Sequence, residues 1–184
     1  MIIIYNYIVS DYCTHHAKAS NRVERMTTRF IGPADRLTLA RKPQRAIHCW
    51  QDEFNSGQSF FKQAMWTMAL PHAGRAFEIA EILLGSDTVE SANGRELFTA
   101  SASLLIDTLG KLGEPQLIQS VHWRALQGLT QDLHLQPKAG VEVAKHLERL
   151  YQLVSLQAAS KILWMKTLPD TLRPSISRSV SDSR

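Results

Sequence analysis

The residues best suited to metal or nucleophilic chemistry are Cys13, His15 and His16, with His48 and Cys49 farther along the chain. Thiolate and imidazole are ordinary zinc ligands, and zinc takes about four of them in a tetrahedral array. A Cys-x-His-His run lacks the paired Cys-x-x-Cys spacing from which such a site is read. The expectation is therefore no metal, with Cys49 packed as a small hydrophobe. Nucleophilic catalysis needs a Cys or Ser held by a His that a third group orients. No Gly-x-Ser-x-Gly elbow is present, nor a glycine-rich phosphate loop or dinucleotide fingerprint. His72, His122, His134 and His146 stand singly and are expected at the surface or its boundary. Glu78 and Glu81 share a side of a helix, but no Glu-x-x-His accompanies them, as carboxylate-bridged metal bundles require. Both acids are expected to be solvated. Trp50, Trp66, Trp123 and Trp164 adjoin apolar stripes and are assigned to the core. No enzyme activity and no cofactor is predicted.

Those residues lie on segments whose periodicity is helical. Trp50, Phe54, Phe61 and Met65 recur at three- and four-residue steps, and the helical core starts between Ala34 and Ile47. A second helix is expected over Thr67–Leu84, with Ala69, Ala73, Ala76, Ile79 and Ala80 on its apolar face, Pro71 near its first turn and Gly85 as its stop. Ser86–Gly94 is polar and reads as a loop. Helices over Arg95–Leu112 and Pro115–Leu133 follow, separated by Gly113. The longest helix runs over Ala139–Thr167, with Ala144, Leu147, Tyr151, Val154, Ala158, Ile162 and Met165 inward and Lys145, Glu148, Arg149 and Gln152 outward. Met1–Val9 has strand-like composition but no strand to pair with. The expectation is an all-α domain over residues 34–168, an irregular segment over 1–33, and a disordered serine-rich tail over 169–184. Met26 opens an alternative start, which would make the first residues an upstream extension.

The chain has 184 residues, 44% of them hydrophobic and 21% charged, which suits an ordinary globular domain. Its formal charge of +4 is uneven. Arg22, Arg25, Arg29, Arg36, Arg41, Lys42 and Arg45 crowd the start, and Arg173, Arg178 and Arg184 the end. These positions are expected in loops and tails rather than on a folded basic face, which argues against a nucleic-acid binder. Cys13 and Cys49 make no disulfide framework, so a reduced cytoplasmic setting is the default. The opening apolar run is shorter than the roughly 20 residues of a membrane span, and no secretory cleavage site follows it.

The stretch Trp50–Leu84 resembles a tetratricopeptide repeat, a helix-turn-helix unit of about 34 residues. Gly57, Phe60, Ala64, Trp66, Ala69 and Ala76 fall at that family's small and aromatic positions. A poorer copy over Ala100–Leu129 carries Leu105, Leu109, Gly113, Ile118 and Ala125, with Ile106 where the first glycine belongs. Glu53, Ser56 and Ala73 depart from the pattern. A layout of two unequal hairpins is also similar to that of small bacterial proteins. The resemblance implies two antiparallel helical hairpins stacked in a right-handed array, capped by the long C-terminal helix. It also implies a groove along the first helix of each hairpin that receives a protein or peptide partner. Gln51, Phe54, Asn55, Gln58, Phe61 and Lys62 would line it from one hairpin, and Ser103, Leu104, Asp107 and Lys111 from the other. Phe54, Phe61 and Leu104 would be apolar anchors. The family's carboxylate clamp is absent, since Phe54 and Gln58 stand where lysine and asparagine would be needed. An ordinary five-helix bundle, or a groove filled by the last helix, fits the same pattern. A nucleic-acid-associated regulator is the alternative function.

Overall fold

A computed structural model describes residues 29–86 and 91–167, with side chains described over 29–86 and 93–156. Irregular residues 29–32 lead into α1 (Pro33–Arg41), followed by α2 (Pro43–Lys62), α3 (Trp66–Leu84), α4 (Ser91–Leu112) and α5 (Pro115–Leu135). A short 3-10 turn (Pro137–Ala139) leads into α6 (Gly140–Thr167). Among the described residues there is no strand, so the all-α expectation holds there. The strand-like Met1–Val9, Met26 and the serine-rich tail lie outside the described residues.

Proline sets three of the helix starts. Pro33, Pro43 and Pro115 each open a helix, where a fixed φ helps and a missing N–H is not needed. Lys42, the residue between α1 and α2, is extended at φ −132° and ψ 72° because a proline follows it. Pro71 lies inside α3, about a turn past its start, and its ring is exposed.

The α2–α3 and α4–α5 connections use one device. At the first, Met65 N–H donates to Phe60 C=O (2.9 Å) and Ala64 N–H to Phe61 C=O (3.0 Å). At the second, Glu114 N–H reaches Leu109 C=O (3.0 Å) and Gly113 N–H reaches Gly110 C=O (3.3 Å). Both are Schellman motifs, which place one residue in the left-handed region. Gly113 takes φ +75° without penalty, whereas Ala64 is held at φ 58°. Ala64, matched to a small position of the repeat, is itself the turn residue.

From α2 to α5, successive helices run antiparallel. Glu53 and Gly57 of α2 face Arg75 and Ala73 of α3. Phe77 of α3 stacks on Phe98 of α4 at 5.2 Å, and the Phe98 ring presses on Gly128 of α5, where an added Cβ would lie 2.9 Å away. The main core joins Ala73, Phe77 and Ala80 to Leu105 and Leu109 of α4, Ala125 and Leu129 of α5, and Val143 and Leu150 of α6. A smaller cluster gathers Ile31, Leu39, Ala46, Ile79 and Leu83.

Three expectations change. First, α4 begins at Ser91, not Arg95. Gly94, which looked like a loop residue, is a contact residue, with its Cβ position 3.5 Å from Leu84 Cα. Second, α6 turns Val143, His146, Leu147 and Leu150 inward, while Ala144 is exposed and Tyr151 is 63% exposed. Docking against α4 and α5 selects a face offset from the expected stripe. Third, Arg36, Arg41 and Arg45 lie on helices rather than in loops.

A buried ion pair, Arg95–Asp132, extends to the half-exposed Glu142 and ties α6 to α4 and α5. Arg95, 3% exposed, donates to Asp132 Oδ2 of α5 and to Glu142 Oε2 of α6, each at 2.9 Å. Removing one member strands the other's charge in the interior, which costs about 3–5 kcal/mol. Arg95→Met is therefore expected to lower unfolding free energy by about that amount. Arg95→Met with Asp132→Leu is expected to recover most of it; chemical denaturation of the two variants checks this. Ala64→Gly relieves a left-handed strain of about 1–2 kcal/mol. It also gives back about 0.4–1 kcal/mol in unfolded-chain entropy. A net gain of about 0.5 kcal/mol, read as a raised Tm, is expected.

Candidate functional site

The two helices expected to line a groove do meet. Trp50 Nε1 on α2 donates to Ser101 Oγ on α4 at 2.8 Å, and Ser101 Oγ donates on to Leu97 C=O at 2.8 Å. One turn along α2, Phe54 stacks on Trp50 with ring centroids 4.9 Å apart. Beyond it, Gly57 lies under Leu104, with its Cβ position 3.2 Å from Leu104 Cδ2. Contacts advance in the same direction along both helices, so α2 and α4 run side by side in parallel. A side chain at residue 57 would press on Leu104 and on the Ala73 backbone of α3 together.

The expected groove residues divide by exposure. Gln51, Asn55, Lys62 and Lys111 are exposed, and Phe54, Gln58, Phe61, Ser103 and Asp107 are half-buried. Ser103 Oγ donates to Thr99 C=O at 2.8 Å. Leu104 is corrected: it is 8% exposed and belongs to the core, because Gly57 leaves it a seat. It offers no surface to a ligand. Phe54 and Phe61 are themselves packed against the core and present only part of each ring.

Polar clusters that sequence spacing did not reveal lie on either side of α3. On the α2 side, Glu53 accepts from His72 Nδ1 (2.7 Å) and from Arg75 (3.2 Å), and Phe60 stacks on the His72 ring at 5.4 Å. On the α5 side, Glu81 accepts from Arg36 (2.7 Å) and from Arg124 (3.0 Å). Glu78, expected in solvent, is 1% exposed. It accepts the Ile31 backbone N–H at 2.9 Å, and Arg124 Nη1 stands 3.6 Å from its other oxygen. The Arg124 guanidinium also covers the Phe77 ring at 5.1 Å, a cation–π arrangement. The sequence carried one signal for this cluster, two acids three residues apart on an otherwise small-sided helix. Their partners at residues 31, 36 and 124 are remote in sequence.

His146 is likewise corrected, from the surface boundary to 8% exposure. Burial lowers its basicity; the Glu96 and Glu142 carboxylates oppose that, and Arg95 and Arg149 add to it. Burial alone lowers His122, whose Nε2 has no hydrogen bond. For Glu81, burial works toward a higher value, but hydrogen bonds and charge from Arg124 and then Arg36 outweigh it and hold the carboxyl low. His48 donates to Gln44 C=O at 2.8 Å and Cys49 is half-buried. Among the described residues no three His, Cys, Asp or Glu side chains converge as metal ligands would. Cys13, His15 and His16 lie outside them. No helix of the described residues is long and apolar enough to cross a membrane.

No protein-family model matches the chain, no curated protein is significantly similar to it in sequence, and no solved structure matches its fold significantly. What the α2–α4 face does must be read from its own residues.

The buried imidazoles give a definite pH dependence. A histidine whose folded value is depressed contributes stability that is complete above its unfolded value of about 6.5 and is lost as pH falls through the folded value. The urea midpoint is expected to fall as pH drops below about 6.5, and His146→Gln is expected to flatten that fall. Glu81 adds a second loss below its ordinary value of 4.5, which Glu81→Gln removes. Urea titrations between neutral and acid pH separate the two.

Proposed function

We propose that this chain is a non-enzymatic adaptor or scaffold that binds a protein or peptide along α2 and α4, in a tetratricopeptide-like, right-handed stack of hairpins capped by α6. The observation that carries this is the parallel contact of α2 and α4 through Trp50–Ser101 and Gly57–Leu104. Gln51, Asn55 and Lys62 on α2 and Lys111 on α4 are exposed, and Phe54 and Phe61 on α2 are partly so. Amides can pair with a guest's backbone, cations can select acidic side chains, and the aromatic edges supply apolar area. Buried Gly57, Ala69 and Ala76 at the hairpin crossing also support it, since close helix approach is what the family's small residues provide. A cytoplasmic setting is part of the same proposal.

A second reading rests on exposed Arg29, Arg41, Lys42 and Arg45 near the start of the helical domain. These could meet a nucleic-acid backbone, although Arg36 is already committed to Glu81. Such binding would weaken steeply with salt. Failure to retain DNA or RNA at low salt removes it.

The groove is tested by substituting Asn55→Ala, Gln58→Ala and Lys62→Glu together, leaving Phe54 to its stack with Trp50. Affinity capture from native cells, with mass spectrometry, should lose its specific partner, with affinity reduced about ten-fold for each ~1.4 kcal/mol removed. Helicity should be unchanged. Undiminished capture of the same partner would defeat the proposal.

A further inference from the structure

The segment before α1 sits on α3 as a short peptide ligand would. The Phe30 ring lies directly on Gly74, so closely that an added Cβ would overlap it. The notch exists because residue 74 has no side chain. The next residue, Ile31, gives its backbone N–H to Glu78 at 2.9 Å, and Arg36 donates to Glu81 at 2.7 Å. Gly74, Glu78 and Glu81 recur at four and three along α3 and so share a face. Arg124 of α5 closes the row, 3.0 Å from Glu81 and 3.6 Å from Glu78. An aromatic seated in a notch, a main-chain N–H taken by a carboxylate, and a guanidinium held by a second carboxylate are the components of peptide recognition.

The occupied state carries an internal opposition. Glu78 is 1% exposed, and its Oε1 has no hydrogen bond. With only the Arg124 guanidinium 3.6 Å from that oxygen, the buried carboxylate is incompletely satisfied, which penalises the state that buries it. Holding the segment down are the Phe30 contact and Ile31, which packs with Leu39, Ile79 and Leu83. Apolar anchoring set against a desolvated charge is the balance of a ligand that exchanges.

We propose that Gly74, Glu78 and Glu81, with Arg124, form a peptide-recognition site that the chain's own Phe30–Arg36 segment fills and that a partner peptide of like chemistry displaces it. That chemistry is an aromatic residue, a non-proline residue after it, and an arginine six positions beyond the aromatic, as Arg36 follows Phe30. A second copy of the chain is the less suitable occupant. Lys42 alone links α1 to α2, and Pro43 keeps the two from straightening into one helix that could carry the segment outward. The site uses α3 and α5, not α2 and α4, and stands independently of the groove.

The test uses the full chain with Phe30→Ala and Arg36→Ala, which weakens the internal occupant and leaves the site intact. The probe is a fluorescent synthetic peptide of the sequence Arg29–Arg41. Fluorescence anisotropy should show it binding the variant about ten-fold more tightly than the wild type, whose own segment competes. Adding Gly74→Leu to the variant should abolish binding by filling the notch. No binding to a variant that circular dichroism shows to be folded, or binding indifferent to Gly74→Leu, would overturn the proposal. If the variant does not fold, the wild type decides. Excess unlabelled peptide should speed hydrogen exchange at the Ile31 amide, and unchanged protection would overturn it. Concentration-dependent dimers of the wild type that excess peptide dissolves would assign the site to a second copy and overturn it equally.

Discussion

The structure turns on how small α3 is. α1, α2, α4 and α5 all pack on this helix, and it can accept them because Ala69, Ala73, Gly74, Ala76 and Ala80 present almost no side chain where the neighbours press. A helix with a single apolar stripe packs on one side; α3 is buried around most of its circumference from Ala73 to Ala80. Small residues let helix axes approach, and the filling is supplied from outside, by Phe30 on Gly74 and Leu104 above Gly57. Phe77, the large exception, is fully buried and stacked on Phe98. Burying a phenyl ring of that kind stabilises the fold by roughly 2–3 kcal/mol. Enlarging any one of the small positions would force neighbours off their rotamers at a comparable cost.

Apolar packing alone would leave the second half of the molecule under-specified. α4, α5 and α6 each present several leucines, and a helix such as α6 has more than one apolar stripe to offer. The Arg95 triad resolves the choice. A buried guanidinium that joins a buried Asp132 to a half-exposed Glu142 limits rotation of α6, since a turn about its axis would carry Glu142 away from Arg95. Buried ion pairs add little net stability compared with well-packed hydrophobes but penalise alternatives heavily. Fixing which face of α6 points inward is the effect expected of such a device.

The same logic connects fold to function. On the α2 side of α3 the polar groups are partly exposed and face outward from a packed aromatic floor. On the α5 side they are drawn inward, where they meet residues that precede or open α1 and Arg124 of α5. One helix therefore serves two different surfaces. Both owe their shape to glycine: Gly57 lets α4 close on α2, and Gly74 admits Phe30.

Helix content and most helix ends were legible in the sequence. Three- and four-residue periodicity, Pro115 at a helix start and Gly113 at a turn are local properties of the chain, and local steric and hydrogen-bond rules act on them directly; the break at Lys42 that makes α1 a separate helix was not foreseen. The face that each helix buries was less legible. Tyr151 and Ala144 look apolar and lie outside; Glu78, Arg95 and His146 look polar and lie inside. Leu104 has the character of an anchor and is spent on the core. For Glu78, Arg95 and Leu104 the outcome depends on a partner remote in sequence, Arg124, Asp132 and Gly57 respectively, that only the assembled helices bring within reach. Burial is a property of the docked surface, not of the segment, and so the tertiary structure decided it.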